Sequence, residues 1–253
     1  MKNASKKWFS YMTEHEEAKV NLICFPHAGA GPGVYALWGR FLSNDLSFYP
    51  VHYPMREKRK LESLPDTIQE LARTFVQDNE QLWVEKPFAI YGHCMGSIIA
   101  YEVAKAVKEL YNVRPILVIV SSSLAPNCTI EQQIDETMNV KQIAKFFAEL
   151  NYMDDSLIED EMYANYFLPV LKADYLLQQK YVDVYFKKLD CPLLVLYGEN
   201  DIQIDKNKLS DWKQFSSSEV LFESIEGGHF FVNKENIIKF LPMLQEKILK
   251  KLI

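Results

Sequence analysis

Cys94 stands at the centre of "YGHCMGS", with Gly92 two residues before it and Gly96 two after. A nucleophile in the pattern G-x-Nu-x-G, where a strand turns sharply into a helix, is presented at the apex of the turn. The small flanking residues keep neighbouring side chains from colliding there. The run "FAIYGHC" is apolar enough for a buried strand, and "MGSIIAYEVAKAV" follows it with helical spacing. Such a helix aims N–H groups and the positive end of its dipole at the sulfur, which favours the thiolate. It also turns the N–H of Met95 toward a developing oxyanion. An isolated cysteine in an apolar strand is ordinarily a small hydrophobe, and that reading suits Cys24 and Cys191. Cys94 reads differently because an acid and then a histidine follow it. Asp201 lies in "GENDIQID", just past the strand-like "PLLVLYG", with Glu199 and Asp205 as competing carboxylates. His229 follows two glycines in "IEGGHFFV". A thiol, an imidazole and an orienting carboxylate together can carry an acyl group through a covalent intermediate.

A second oxyanion donor is available in "CFPHAGAGPGVYALW", where the glycines let backbone approach a ligand and the N–H of Ala28 is the candidate. The run fails the dinucleotide pattern G-x-G-x-x-G, since Val34 occupies the third glycine position, and no G-K-[ST] follows for a P-loop. His27 and His93 flank this site and read as shaping the loop and the turn, not as bases. The five histidines include no H-E-x-x-H, and the four cysteines include no C-x-x-C pair, so neither a metal nor a disulfide framework is expected.

These residues need a scaffold that gathers loops at one end of a sheet. Six short apolar runs supply it: "VNLICF", "LSFYPVHY", "FAIYGHC", "ILVIVSSS", "PLLVLYG" and "VLFESIEGG". Their length and content suit strands buried on both faces of a mostly parallel sheet. Helical spacing fills the connections, as at Ile68, Leu71 and Phe75, with Asp66 and Thr67 as caps. The expectation is a single α/β domain over residues 1–253, its central sheet flanked by helices. The chain order nucleophile, acid, histidine is that of the α/β hydrolases. The alternation breaks once, between Ser123 and Asp190, where only helical patterns occur. This insertion, at about 130–185, reads as a helical lid, mobile over about 130–180. Phe146, Phe147 and Leu150 on its inner face are expected to line an acyl pocket.

The composition is that of an ordinary globular protein, 48% hydrophobic and 25% charged. A net charge of −6 and the absence of a basic stripe argue against nucleic-acid binding. Charges interrupt every apolar run before eighteen residues and no signal peptide is seen, so a cytoplasmic protein without a membrane partner is expected. The basic "LQEKILKKLI" reads as the solvated face of a last helix.

In "FPHAGAG", "YPMREKR", "YGHCMGSIIAYEVA", "LPVLKADYLLQQKY", "YGENDIQI" and "GGHFF", the chain resembles the type II, or external, thioesterases that accompany nonribosomal peptide and polyketide synthases. "LPVLKADY" is the most specific of these motifs. The resemblance implies an α/β-hydrolase fold with a helical lid and no cofactor of its own. The acyl or aminoacyl thioester would arrive on the phosphopantetheine arm of a carrier protein, with the enzyme expected as a monomer. It places the triad on Cys94, Asp201 and His229, with backbone donors at Ala28 and Met95. Two positions depart from the family: the nucleophile is usually serine, and a glycine is common where Met55 stands. The implied activity is hydrolytic editing of misprimed or stalled carriers through acyl-Cys94. An acyl shuttle between carriers is the alternative, and a carrier-binding module without catalysis is the non-enzymatic one.

Overall fold

Each of the six apolar runs becomes a strand: β1 (Val20–Phe25), β2 (Leu46–Pro50), β3 (Phe88–His93), β4 (Leu117–Ser121), β5 (Leu193–Gly198) and β6 (Val220–Ile225). The computed structural model describes residues 6–128, 133–150, 160–232 and 236–252. All five pairings are parallel, in the order β2-β1-β3-β4-β5-β6. Every residue of β1 to β4 is buried, which is why those runs are predominantly apolar. β6 is an edge strand and has no fully buried residue. The helices are α1 (Ile68–Asp78), α2 (Glu80–Val84), α3 (Met95–Tyr111), α4 (Val140–Glu149), α5 (Leu168–Gln179) and α6 (Ile237–Leu249). No described helix is long and apolar enough to cross a membrane.

The pleat divides each strand between two cores. Ile23, Phe25, Ile90, Val118 and Val195 face one cluster with Phe75 of α1 and Ile99 of α3. Leu22, Cys24, Tyr91, Ile119 and Leu194 face the other with Trp38 and, from α6, Phe240 and Leu244. Cys24 and Cys191 are core residues, as read, and burial pushes the Cys191 thiol up to about 12. Thr67 caps α1, its hydroxyl accepting from the Glu70 N–H at 3.1 Å. Asn79 then splits α1 from α2, its side-chain amide donating to the Phe75 carbonyl at 2.8 Å.

The chain runs from β1 outward to β2 and returns to β3 on the opposite side of β1. Ligands of open α/β sheets bind beyond the strands' carboxyl ends at such a reversal. Register aligns those ends, pairing Phe25 with Gly92, His93 with Ser121 and Ser121 with Leu196. The loops after β1, β3, β4, β5 and β6 therefore leave the sheet on one side.

The outer side of β2 is closed by the N-terminal segment, where Thr13 and Phe48 exchange two backbone hydrogen bonds of 2.9 and 2.7 Å. Trp8 anchors it, donating to Asp78 at 2.8 Å beneath the Arg59 guanidinium. The insertion carries α4, a π-helical turn at Tyr163–Phe167 and α5, with no strand among its described residues. Residues 129–132 and 151–159 of the expected lid lie outside the described residues. α5 is well packed, burying Leu168, Val170, Leu171, Asp174, Tyr175 and Leu177. Beyond it, Tyr181 donates to Glu102 at 2.7 Å, and Lys105 bridges Glu102 and Asp183 at 2.9 and 2.7 Å. The insertion thus returns to the body of the protein at α3.

Candidate active site

Cys94 occupies the single residue between β3 and α3, with φ 53° and ψ −119°. A non-glycine residue held there is strained, at a cost of about 1–3 kcal/mol that the surroundings must offset. They do so through hydrogen bonds on both sides: the Cys94 N–H donates to Ser121 at 2.8 Å, and the Ser97 N–H donates back to Cys94 at 2.9 Å. The Ser97 hydroxyl donates to Gly92 at 2.9 Å and closes the turn from within. A Cβ on Gly92 would lie 2.1 Å from the Gly96 carbonyl oxygen, and one on Gly96 the same 2.1 Å from that of Phe25. Both neighbours are backbone, so the G-x-C-x-G spacing is a steric requirement of this turn.

The loops after β5 and β6 bring the other two residues together. His229 Nδ1–H donates to Asp201 Oδ2 at 2.9 Å, and both side chains are buried. The other carboxylate oxygen accepts from the Gln203 N–H at 3.0 Å, which fixes the carboxylate plane. Of the competing carboxylates, Glu199 is exposed and accepts from the Ser224 hydroxyl, while Asp205 is exposed and caps the turn at Asn207. His229 is also hydrogen-bonded to Cys94. Burial pulls the imidazolium down, but Asp201 and then Cys94 outweigh it and carry the His229 pKa up to about 9. Cys94, His229 and Asp201 thus form one chain of hydrogen bonds, with Cys94 only 6% exposed.

Met95 opens α3, so its N–H lies ahead of the intrahelical ladder and points out of the helix start. Ala28 sits in the buried loop after β1, where His27 Nδ1–H donates to the Ala28 carbonyl at 2.9 Å. Burial depresses His27 to about 4 and takes His93 well below its ordinary value, so both rings are neutral. His93 Nδ1 lies 2.9 Å from Ser121 Oγ.

A cavity of about 800 Å³ opens beside the Ala28 loop, walled by His27, Met55, Arg56 and Glu57 and, from the insertion, Tyr166 and Phe167. Phe147 is fully buried against Tyr175, with ring centroids 5.2 Å apart, and Tyr175 lies within electrostatic reach of Cys94. Phe146 packs half-buried on the same tyrosine at 5.7 Å, and the Leu150 carbonyl accepts from Gln203 at 3.1 Å. The insertion residues that wall this cavity come from the π-helical turn and the first turn of α5, and Phe146, Phe147 and Leu150 are not among them.

Sequence reasoning passed over three residues at the site. Ser122 (φ 46°) donates from its hydroxyl to the His229 carbonyl at 3.0 Å. Arg56 and Asp174 form a buried pair at 2.6 and 2.8 Å against the Ala28 loop. Their signal was the motifs "YPMREKR" and "LPVLKADY", which stood out before any contact between them was visible.

Residues 20–245 match the family model described as "Thioesterase domain". Thioesterase PikA5 of Streptomyces venezuelae is 27% identical, the match covering 90% of this chain and 81% of that protein. The gramicidin S biosynthesis protein GrsT of Aneurinibacillus migulanus is also 27% identical, over 93% of this chain and 92% of that one. Among solved structures, the type II thioesterase BorB from the borrelidin biosynthetic cluster superposes with a TM-score of 0.81 at 26% identity, covering 95% of this chain and 97% of its own.

Proposed function

Because the chain belongs to the thioesterase family and is a thioester hydrolase, we propose that it is a type II thioesterase working through an acyl-Cys94 intermediate. Its substrates in this reading are acyl or aminoacyl thioesters on the phosphopantetheine arms of nonribosomal peptide or polyketide carrier proteins. The observation that carries the proposal is the buried Cys94–His229–Asp201 chain at the strained strand-to-helix turn. The kinship with a gramicidin S biosynthesis protein and with the borrelidin-cluster type II thioesterase supports the choice of carrier-bound substrates.

The Cys94 thiolate attacks the thioester carbonyl, and the oxyanion is held by the N–H groups of Ala28 and Met95. Collapse breaks the bond to the pantetheine sulfur, which takes the proton from His229. The neutral imidazole then draws a proton from water, hydroxide adds to acyl-Cys94, and the acid leaves as Cys94 is regenerated. Asp201 holds the imidazole in the required tautomer throughout.

One observation favours a second reading. With cysteine as nucleophile the intermediate is itself a thioester, so acylation is nearly isoenergetic and a second carrier thiol can take the group from Cys94 in place of water. Mass spectrometry of wild type and Cys94→Ser with an acyl-loaded carrier, with and without a second free carrier, separates the readings. Wild type should accumulate a longer-lived acyl-enzyme than the serine variant, with slow release of acid. Loading of the second carrier puts the shuttle first, and absence of any acyl group on Cys94 overturns both.

A further inference from the structure

The strongest buried polar contact outside the Cys94–His229–Asp201 chain lies on the oxyanion side of the site. Asp174 of α5 is 0% exposed and Arg56, in the loop after β2, is 5% exposed. The guanidinium grips the carboxylate with two bonds, Nη2 to Oδ1 at 2.6 Å and Nη1 to Oδ2 at 2.8 Å. Both partners also hold the loop after β1. Asp174 Oδ2 accepts from the Gly29 N–H at 2.8 Å, and Arg56 Nη1 donates to the Ala30 carbonyl at 2.7 Å. Gly29 and Ala30 are the two residues after Ala28, so the backbone carrying the candidate oxyanion donor is held from a donor and from an acceptor at once. Arg56 Nε donates to the Pro54 carbonyl at 3.0 Å, and the guanidinium lies 5.0 Å from the Tyr53 ring centroid.

The backbone on either side of Arg56 is unusual. Met55 has φ 68° and Glu57 has φ 47°, both in the left-handed region. Two strained non-glycine residues around one arginine are retained only where the contacts of that arginine over-determine the turn. Met55 adopts the conformation that suits glycine, so the departure from the family at this position keeps the turn and adds a thioether to the cavity wall.

We propose that Arg56 and Asp174 are positioning residues for the oxyanion hole, the pair fixing the Ala28 N–H through Gly29 and Ala30 and thereby coupling the insertion to acyl transfer. It follows that α5 is a fixed part of the catalytic frame. The proposal rests on the reading of Cys94 as the acylated nucleophile.

Two reactions of the same sulfur separate positioning from simple folding. Alkylation by iodoacetamide forms an S–C bond and expels iodide with no oxyanion. Acylation by a p-nitrophenyl ester forms an S–acyl bond and expels nitrophenolate through a tetrahedral oxyanion. Both rates are measured for wild type, Asp174→Asn and Arg56→Lys, with Cys94→Ala as blank. Asp174→Asn retains an oxygen for Gly29 but breaks the charge pair, while Arg56→Lys retains the charge and loses the fork. Removing one oxyanion donor outright costs about 10²–10³-fold, so a displaced donor should slow acylation by about 10- to 100-fold. Alkylation should keep its wild-type rate and pH profile, and Arg56→Lys should fall between wild type and Asp174→Asn. Acylation at the wild-type rate in both variants, or acylation and alkylation falling in parallel, overturns the positioning role. A wild type that is alkylated but never acylated at Cys94 overturns the functional reading, and the proposal with it.

Discussion

The substitution Asp201→Asn tests whether the carboxylate sets the charge state of the site. His229 titrates at about 9 against an ordinary 6.5, a difference worth about 3 kcal/mol in favour of the imidazolium. Burial opposes the shift, and the hydrogen bond that His229 donates to Asp201 is first among the contributions that drive it. Asparagine preserves the shape of that contact and removes its charge. An opposite charge at contact distance is worth about one to three pKa units, so the variant ring should titrate lower by that amount. At pH 7 the wild-type ring is roughly 99% protonated, and a loss of two units leaves it about half protonated. Nitrogen chemical shifts of the His229 ring report this directly. The ultraviolet absorbance of the thiolate, with Cys94→Ala as blank, reports the sulfur. Turnover should fall by about 10²- to 10⁴-fold, because the wrong tautomer and the lost charge act together. A ring that still titrates near 9 in Asp201→Asn would refute the electrostatic account, whatever became of turnover.

Three further outcomes are expected. Since the folded pKa of His229 lies above its unfolded value, its contribution to stability is fully present below pH 6.5 and is lost as pH rises through about 9. Urea unfolding of wild type against His229→Gln should therefore show a gap that closes across that window, and a gap independent of pH would count against it. Gly96→Ala places a methyl group 2.1 Å from the Phe25 oxygen and 2.8 Å from that of Pro26, so it should lose at least about 2 kcal/mol. Gly228→Ala, whose nearest neighbour is 3.8 Å away, is the control that should unfold nearly as wild type does. Thr67→Ala removes the cap of α1 and should cost about 1 kcal/mol in thermal unfolding without changing turnover.

The strands were legible because burial on both faces leaves a predominantly apolar signature, and β1 begins and ends where its run does. The ends were less so. "LSFYPVHY" reads as a strand through Tyr53, but β2 stops at Pro50; Val51 makes one more bond to β1, donating to the Cys24 carbonyl at 2.8 Å, and bridges to Phe9 of the N-terminal segment on its other side. Cys94 was read as the last residue of its strand, whereas its positive φ takes it out of the ladder. At the site, Cys94, Asp201 and His229 were recognisable because each lies within four residues of the carboxyl end of a strand. Arg56 and Asp174 were not, because they are 118 positions apart and because arginine and aspartate default to the surface unless a partner is known. The π-helical turn at Tyr163–Phe167 has no distinct periodicity to announce it.

The two ends of the sheet are guarded differently. Along β2 the backbone is covered by hydrogen bonds from the segment around Thr13, so its outer edge offers little to another chain. β6 depends on charge: Glu223 pairs with Lys247 and Glu219 with Lys251, around a Leu221 that is exposed. Salt screens such pairs and leaves backbone hydrogen bonds largely intact. Strand-to-strand association between copies, when it comes, should therefore begin along β6 and be promoted by ionic strength, while the β2 end stays closed.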